Sequence, residues 1–234
     1  MKKISMVMML LLLNGLLHSQ NKLTEREKVV NYAACKKNPV LLSSPLIIDT
    51  IPSADIVTFI TNTLFGNCVT VSNVAYTGAS IAVGSFTDTT VSFGLHHGLI
   101  LATGSVFNAI GPNDNGLVSA DLSQPGDSLL KTIANTSTHD AAVIEFDFVP
   151  CADSLIVSRF VFGSDEYMEF VGSVNDVFGL FISGPGLSNQ NVAVLPNTSI
   201  PISINNVSAF TNSQYYVNNT DEVKQFLNEI EKLA

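Results

Sequence analysis

The sequence predicts an all-β chain, an antiparallel β-sandwich of jelly-roll type with a short N-terminal helix and a C-terminal amphipathic helix. Three observations carry this. AVIEFDFV places Ile144, Phe146 and Phe148 on one side and Glu145 and Asp147 on the other, the period of two of a sheet with one wet face. From Cys68 onward, short apolar runs are separated by turns rich in glycine and asparagine. Little of the chain has helical periodicity, and no repeat of 20–50 residues points to a propeller or solenoid.

Taken in order, residues 1–19 read as a secretory signal: Lys2 and Lys3 form its basic start and Ile4 to Leu17 its apolar core, with a cut after Ser19. That core falls short of the ~20 residues a membrane span needs, so a cleaved leader is favoured over an uncleaved anchor. No transmembrane span is expected after cleavage, and the mature chain is placed outside the cell or on its surface. Residues 20–52 form a polar lead. The domain is expected at 53–219. It opens on a helix with Ser53 as its cap, Ile56, Val57, Phe59, Ile60 and Leu64 at helical spacing, and Gly66 at its end. Strands are predicted at Val69–Val74, Ser80–Phe86, Gly98–Thr103, Ala142–Val149, Ser154–Phe162, Val177–Ile182, Val192–Leu195 and Ile202–Val207. Asn108 to Asp140 is a long polar crossing with a short helix near Leu129–Ile133. Residues 220–234 close the chain as a helix, with Val223, Phe226, Leu227, Ile230 and Leu233 on one apolar face. Such a helix covers a sheet edge or docks on a partner.

Composition narrows the function. With 234 residues, 46% hydrophobic and 13% charged, the chain can bury a sizeable core. A formal charge of −9 excludes a nucleic-acid surface, which needs a basic stripe. The three cysteines are Cys35, Cys68 and Cys151, and export permits a disulfide between two of them. Cys68 with Cys151 is the pairing favoured, since both adjoin predicted strands of one domain, but spacing alone leaves the connectivity open. No CxxC accompanies them, which disfavours zinc. His96 and His97, adjacent on a strand, are expected on opposite faces and so not to share a metal. GPNDNG at Gly111–Gly116 fails the EF-hand register, and no GxSxG, HExxH or phosphate loop occurs.

The densest chemistry lies in FVFGSDEYMEFVGSVNDVFGLFISGPG, Phe160 to Gly186, where two apolar runs flank an acidic loop. This stretch resembles the signature of the choice-of-anchor L domain family of exported bacterial surface proteins. SADIVTFITNTLFGNCVTVSNVAYTG, HHGLILATGSVFNAIGPN, HDAAVIEFDFVP and the later PISINNV and YYVNN are similar to that family's blocks, in the family's order. The resemblance implies a module of proteins held at the cell surface by varied anchors, many of them similar to type IX secretion cargo. Family members continue past YYVNN with further strands and a sorting domain; by that comparison this chain is shortened at its C-terminus.

Three chemistries suit the acidic loop. Asp165, Glu166, Glu169, Asn175 and Asp176 offer the oxygen ligands a calcium ion takes. The competing reading is a solvated turn whose carboxylates cap backbone donors. Carbohydrate recognition is the second: Asn175 to Ile182 is similar to the strand opening of legume-type lectins, with Asp176 accepting sugar hydroxyls and Tyr167 or Phe170 offering a ring to stack on. A carboxylate pair as in glycoside hydrolases is the third and least favoured, since the chain has no Trp. The function expected from the whole is a secreted or cell-surface, non-enzymatic module in adhesion, meeting a surface protein or glycan. A carbohydrate-binding module, calcium-dependent or not, is the alternative.

Overall fold

A computed structural model describes residues 2–7, 46–65, 69–89, 94–110, 120–150, 160–167, 170–217 and 230–233. The architecture is mostly antiparallel strands with few helices, as the period-two patterning predicts. The strands are β1 (Lys2–Val7), β2 (Ile47–Thr50), β3 (Val69–Thr77), β4 (Val83–Thr87), β5 (His97–Leu101), β6 (Val143–Pro150), β7 (Phe160–Gly163), β8 (Val177–Gly184), β9 (Leu187–Asn191), β10 (Ile202–Ser203) and β11 (Ile230–Leu233). The helices are α1 (Ile56–Leu64) and α2 (Ser128–Ala134).

One sheet runs β10-β8-β1-β6-β3, with β9 also paired to β8; a second runs β2-β4-β5, and β11 pairs β7. Their apolar faces share one core. Ile144, Phe146 and Phe148 of β6 join Phe178 and Leu180 of β8, Phe86 of β4, and Leu99, Ile100 and Leu101 of β5. Ile56 and Ile60 bring α1 into it, Phe65 meeting Phe146 edge-on at 4.6 Å between ring centroids. A smaller cluster seats α2 on the other side of β8, through Leu130 and Ala134 against Val177 and Phe181.

Several expectations need correction. Asp55, not Ser53, holds the cap position of α1, and it makes no side-chain cap. Its carbonyl accepts the first helical hydrogen bond, from Phe59 N. Ser80–Ala82 forms a 3₁₀ turn before β4, so the strand starts three residues later than the apolar run. Val192–Leu195 is not a strand. The hairpin partner of β8 is Leu187–Asn191, a polar and largely exposed run whose sequence gave no strand signal. Asn191 then turns the chain, its side chain accepting from Leu180 N and Ala193 N. Ile202–Val207 shrinks to two strand residues because Ser203–Asn206 turns back through Asn206 N and Val207 N to the Ser203 carbonyl. Asp147, expected on a wet face, is buried. Beside it β3 bulges between Ser72 and Ala75, with Asn73 at a positive φ of 54° donating to the Asp147 carboxylate at 2.6 Å.

The ends of the chain differ most. Ile230–Leu233 is strand, not helix, and pairs antiparallel with β7 from Ile230↔Gly163 to Leu233↔Phe160. An isolated helix of that length is marginal, whereas an open strand edge offers it a full set of backbone partners. Residues 220–229 lie outside the described residues, as do Cys68, Cys151 and most of Ser154–Phe162. β1, from the segment expected to be a leader, sits between β6 and β8 and pairs with both. β2 lies in the expected polar lead and pairs with β4.

Phe86 is fully buried in the shared core, and Phe86→Ala should cost about 3–5 kcal/mol in urea unfolding. Phe210, 83% exposed, serves as the control: Phe210→Ala should stay within about 0.5 kcal/mol. Gly84→Ala tests a close backbone approach. A Cβ there would lie 2.6 Å from the Asp49 carbonyl oxygen, and the unfolding midpoint should fall.

Candidate functional site

The acidic loop joins β7 to β8, and the sequence builds it as a chain of turns. Phe170 N donates to the Glu166 carbonyl at 3.0 Å, and Ser173 N and Val174 N both donate to the Phe170 carbonyl. Gly172 adopts a φ of +88°, which a residue with a Cβ rarely takes. Val171 and Val174 close the tip as an isolated bridge.

Asparagines fix this turn to the rest of the domain. Asn175 donates through Nδ2 to the Ala134 carbonyl at 3.3 Å, which satisfies a terminal carbonyl of α2, and accepts through Oδ1 from Asn205 N at 3.3 Å. Asn205 returns the contact: its Oδ1 accepts from Gly172 N at 2.6 Å and its Nδ2 donates to the Val174 carbonyl at 3.0 Å. α2 is itself well defined, Asp127 capping Leu129 N and Leu130 N, and Asn135 ending the helix at a φ of 56°. The loop therefore rests on two independent elements.

The carboxylates gather at the base of the turn. Ser164, buried, donates to Asp176 Oδ2 at 2.8 Å and accepts from Glu166 N at 3.2 Å, so one hydroxyl couples both ends of the loop. Burial pushes the Glu166 carboxyl up to about 7, and the charges of Asp176 and Asp165 push it the same way. Burial also raises Asp176, against the pull of the Ser164 hydrogen bond. Glu166 Oε2 is buried without a hydrogen-bond partner among the described residues.

The predicted site residues thus divide. Asp165, Glu166 and Asp176 form one electrostatic cluster, Asn175 is committed to backbone groups, and Glu169 lies outside the described residues. Tyr167 is 4% exposed, donates its hydroxyl to the Val207 carbonyl at 2.7 Å and lies against Tyr216, so it packs the core and presents no ring to a sugar. Among the described residues no group of three His, Cys, Asp or Glu stands where it could hold a metal ion. Ser164 and Asn205 organise the loop, and neither was singled out from sequence. Their signals were faint, a serine directly before Asp165-Glu166 and an Asn-Asn doublet. His96 and His97 meet edge-to-face at 5.7 Å, instead of dividing between two faces, and His96 Nδ1 lies 2.7 Å from the Asp88 carbonyl oxygen.

Fold and loop together define an antiparallel all-β module with a braced acidic turn. The Choice-of-anchor L domain model matches residues 48–232, and the chain belongs to that family. The match is wider at both ends than the block expected at 53–219. No curated protein and no solved structure matches the chain. The family is not a known enzyme family, and membership implies an exported or surface protein. No helix among the described residues is long and apolar enough to cross a membrane.

The Glu166 carboxyl gives a pH test. Its value is raised from an ordinary 4.5 to about 7, so between these pH values the folded chain holds a proton that the unfolded chain has released. Stability from this group is complete below pH 4.5 and is lost as pH rises through about 7. Glu166→Gln should flatten that part of the stability–pH curve and gain most over the parent near pH 8. Denaturant midpoints between pH 4 and 8 measure it.

Proposed function

We propose that the chain is a secreted or cell-surface, non-enzymatic module in adhesion or surface contact, led out of the cell by residues 1–19. Membership of the family over residues 48–232 is the observation that carries this reading. In the same reading β10, β8, β6 and β3 on one side and β2-β4-β5 on the other, which share one core, form the two layers of a sandwich. Its partner is a surface protein or glycan. Protease added to intact producing cells should remove the chain, and cells lacking the gene should attach less well to a coated surface. A protease-resistant chain, or equal attachment, overturns the reading.

The acidic turn supports a second reading, glycan binding aided by calcium. The charges of Asp176 and Asp165 raise the cost of ionising Glu166, and a cation of oxygen-loving type would relieve that repulsion. Asp165, Glu166 and Asp176 do not stand ready to hold an ion and would have to close on it, with Glu169 as a further carboxylate of the same loop. Asp176, immediately before β8, is also the group a sugar hydroxyl would meet. At a hundredfold excess over its Kd, calcium should raise the unfolding midpoint by about 5–10 °C relative to chelator-treated protein. An unchanged midpoint removes the ion. A glycan array probed with and without calcium, giving no hit, removes the sugar.

A further inference from the structure

β6 and β8 are not neighbours; a strand's width separates them, and β1 fills it. The pairing is complete on one side, from Lys2↔Phe148 to Val7↔Val143, and spans Ile4↔Ile182 to Val7↔Gly179 on the other. Ile144, Phe146 and Phe148 on one flank and Leu180 and Phe181 on the other are buried, so this position lies beside the core of the domain. The strand that fills it has the sequence KKISMV, the basic start and first apolar residues of the segment read as a leader. One segment cannot be discarded on export and also complete the sheet of the exported protein. Without it, backbone donors and acceptors of β6 and β8 would lose their partners beside a dry core.

A second observation bears on what belongs there. Asp147 is only 5% exposed, and Asn73 satisfies its Oδ2, yet its Oδ1 is buried with no hydrogen-bond partner among the described residues. A buried carboxylate oxygen in this condition is costly, and native proteins rarely leave one so. Asp147 is in register with the third residue of the occupying strand, Lys3↔Asp147. Directly opposed residues of antiparallel strands lie within side-chain reach.

We propose that the slot between β6 and β8 is a strand-acceptor site, filled in the exported protein by an extended segment of a partner polypeptide. The partner strand runs antiparallel to both β6 and β8, is about six residues long, and carries a basic residue opposite Asp147. Main-chain ladders on both sides supply the affinity, and the core beside the slot together with Asp147 supplies the selection. The inference rests on the leader reading, and the test separates the two.

The chain is expressed from its full gene and recovered after export, and the mass of its N-terminal peptide is measured. A retained Lys2 overturns the leader reading and the proposal with it. With the leader removed, an acetylated, amidated peptide of sequence KKISMV is titrated in as the probe. Saturable binding is expected, with slower amide exchange at Val143–Phe148 and Gly179–Ile182 and a raised unfolding midpoint. The same peptide with Ser5→Pro, lacking one ladder donor, should not bind. With Lys3→Glu, which sets a like charge opposite Asp147, it should bind about fivefold more weakly. A leaderless monomer with those amides already protected and no peptide binding overturns the proposal and leaves the leader reading standing. A leaderless dimer that excludes the peptide overturns it too, because a second copy then fills the slot.

Discussion

Strand β6 needs a partner on each side, and much of the domain is arranged to supply them. With so little helix, the backbone groups around the core depend on ladders for their hydrogen bonds, and an unpaired one there costs as much as a lost bond. β6 carries Ile144, Phe146 and Phe148 into the core, so its pairing with β3 and β1 fixes where those rings sit. The aromatic contacts that follow, Phe65 on Phe146 and Phe146 on Phe148, depend on that register. A slip by one residue would turn the rings out and Glu145 in.

The acidic turn obeys a different constraint. Beyond the burial of Tyr167, it is held by hydrogen bonds between side chains and backbone. Ser164 links its two ends, while Asn175 and Asn205 tie its tip to α2 and to the turn after β10. The network reaches the Asp176 carboxylate through Ser164, and the same hydroxyl takes the Glu166 backbone N–H, which keeps the two residues side by side. A turn tied down in this way has little conformational freedom left to lose.

How far the sequence could be read depended on which force set each element. Where burial decided, the period showed through: AVIEFDFV, the run from Val177, and α1 lie within a residue or two of their expected places. α2 was visible near Leu129–Ile133 for the same reason. Where backbone pairing decided, periodicity was silent. Leu187–Asn191 is polar and exposed, and becomes a strand only because β8 turns back on itself through Gly184 and Gly186. Ile230–Leu233 carries a helical apolar pattern and is drawn to the edge of β7 instead. Within the acidic loop, residue type picked out Asp165, Glu166 and Asp176, which the structure brings together, but not Ser164, which links the two ends of the loop. Tyr167 was misread because nothing local reveals that its hydroxyl reaches Val207, forty residues on.

The bulge in β3 has a consequence for how these molecules meet one another. Among the described residues β3 is the outermost strand on its side of the largest sheet, where a straight run of free amides and carbonyls would invite a neighbour to pair. Asn73, in its left-handed conformation, spoils that run at its middle, and its side chain turns inward to Asp147. A straight run would let copies of the chain pair edge to edge, and the bulge offers them a broken ladder instead.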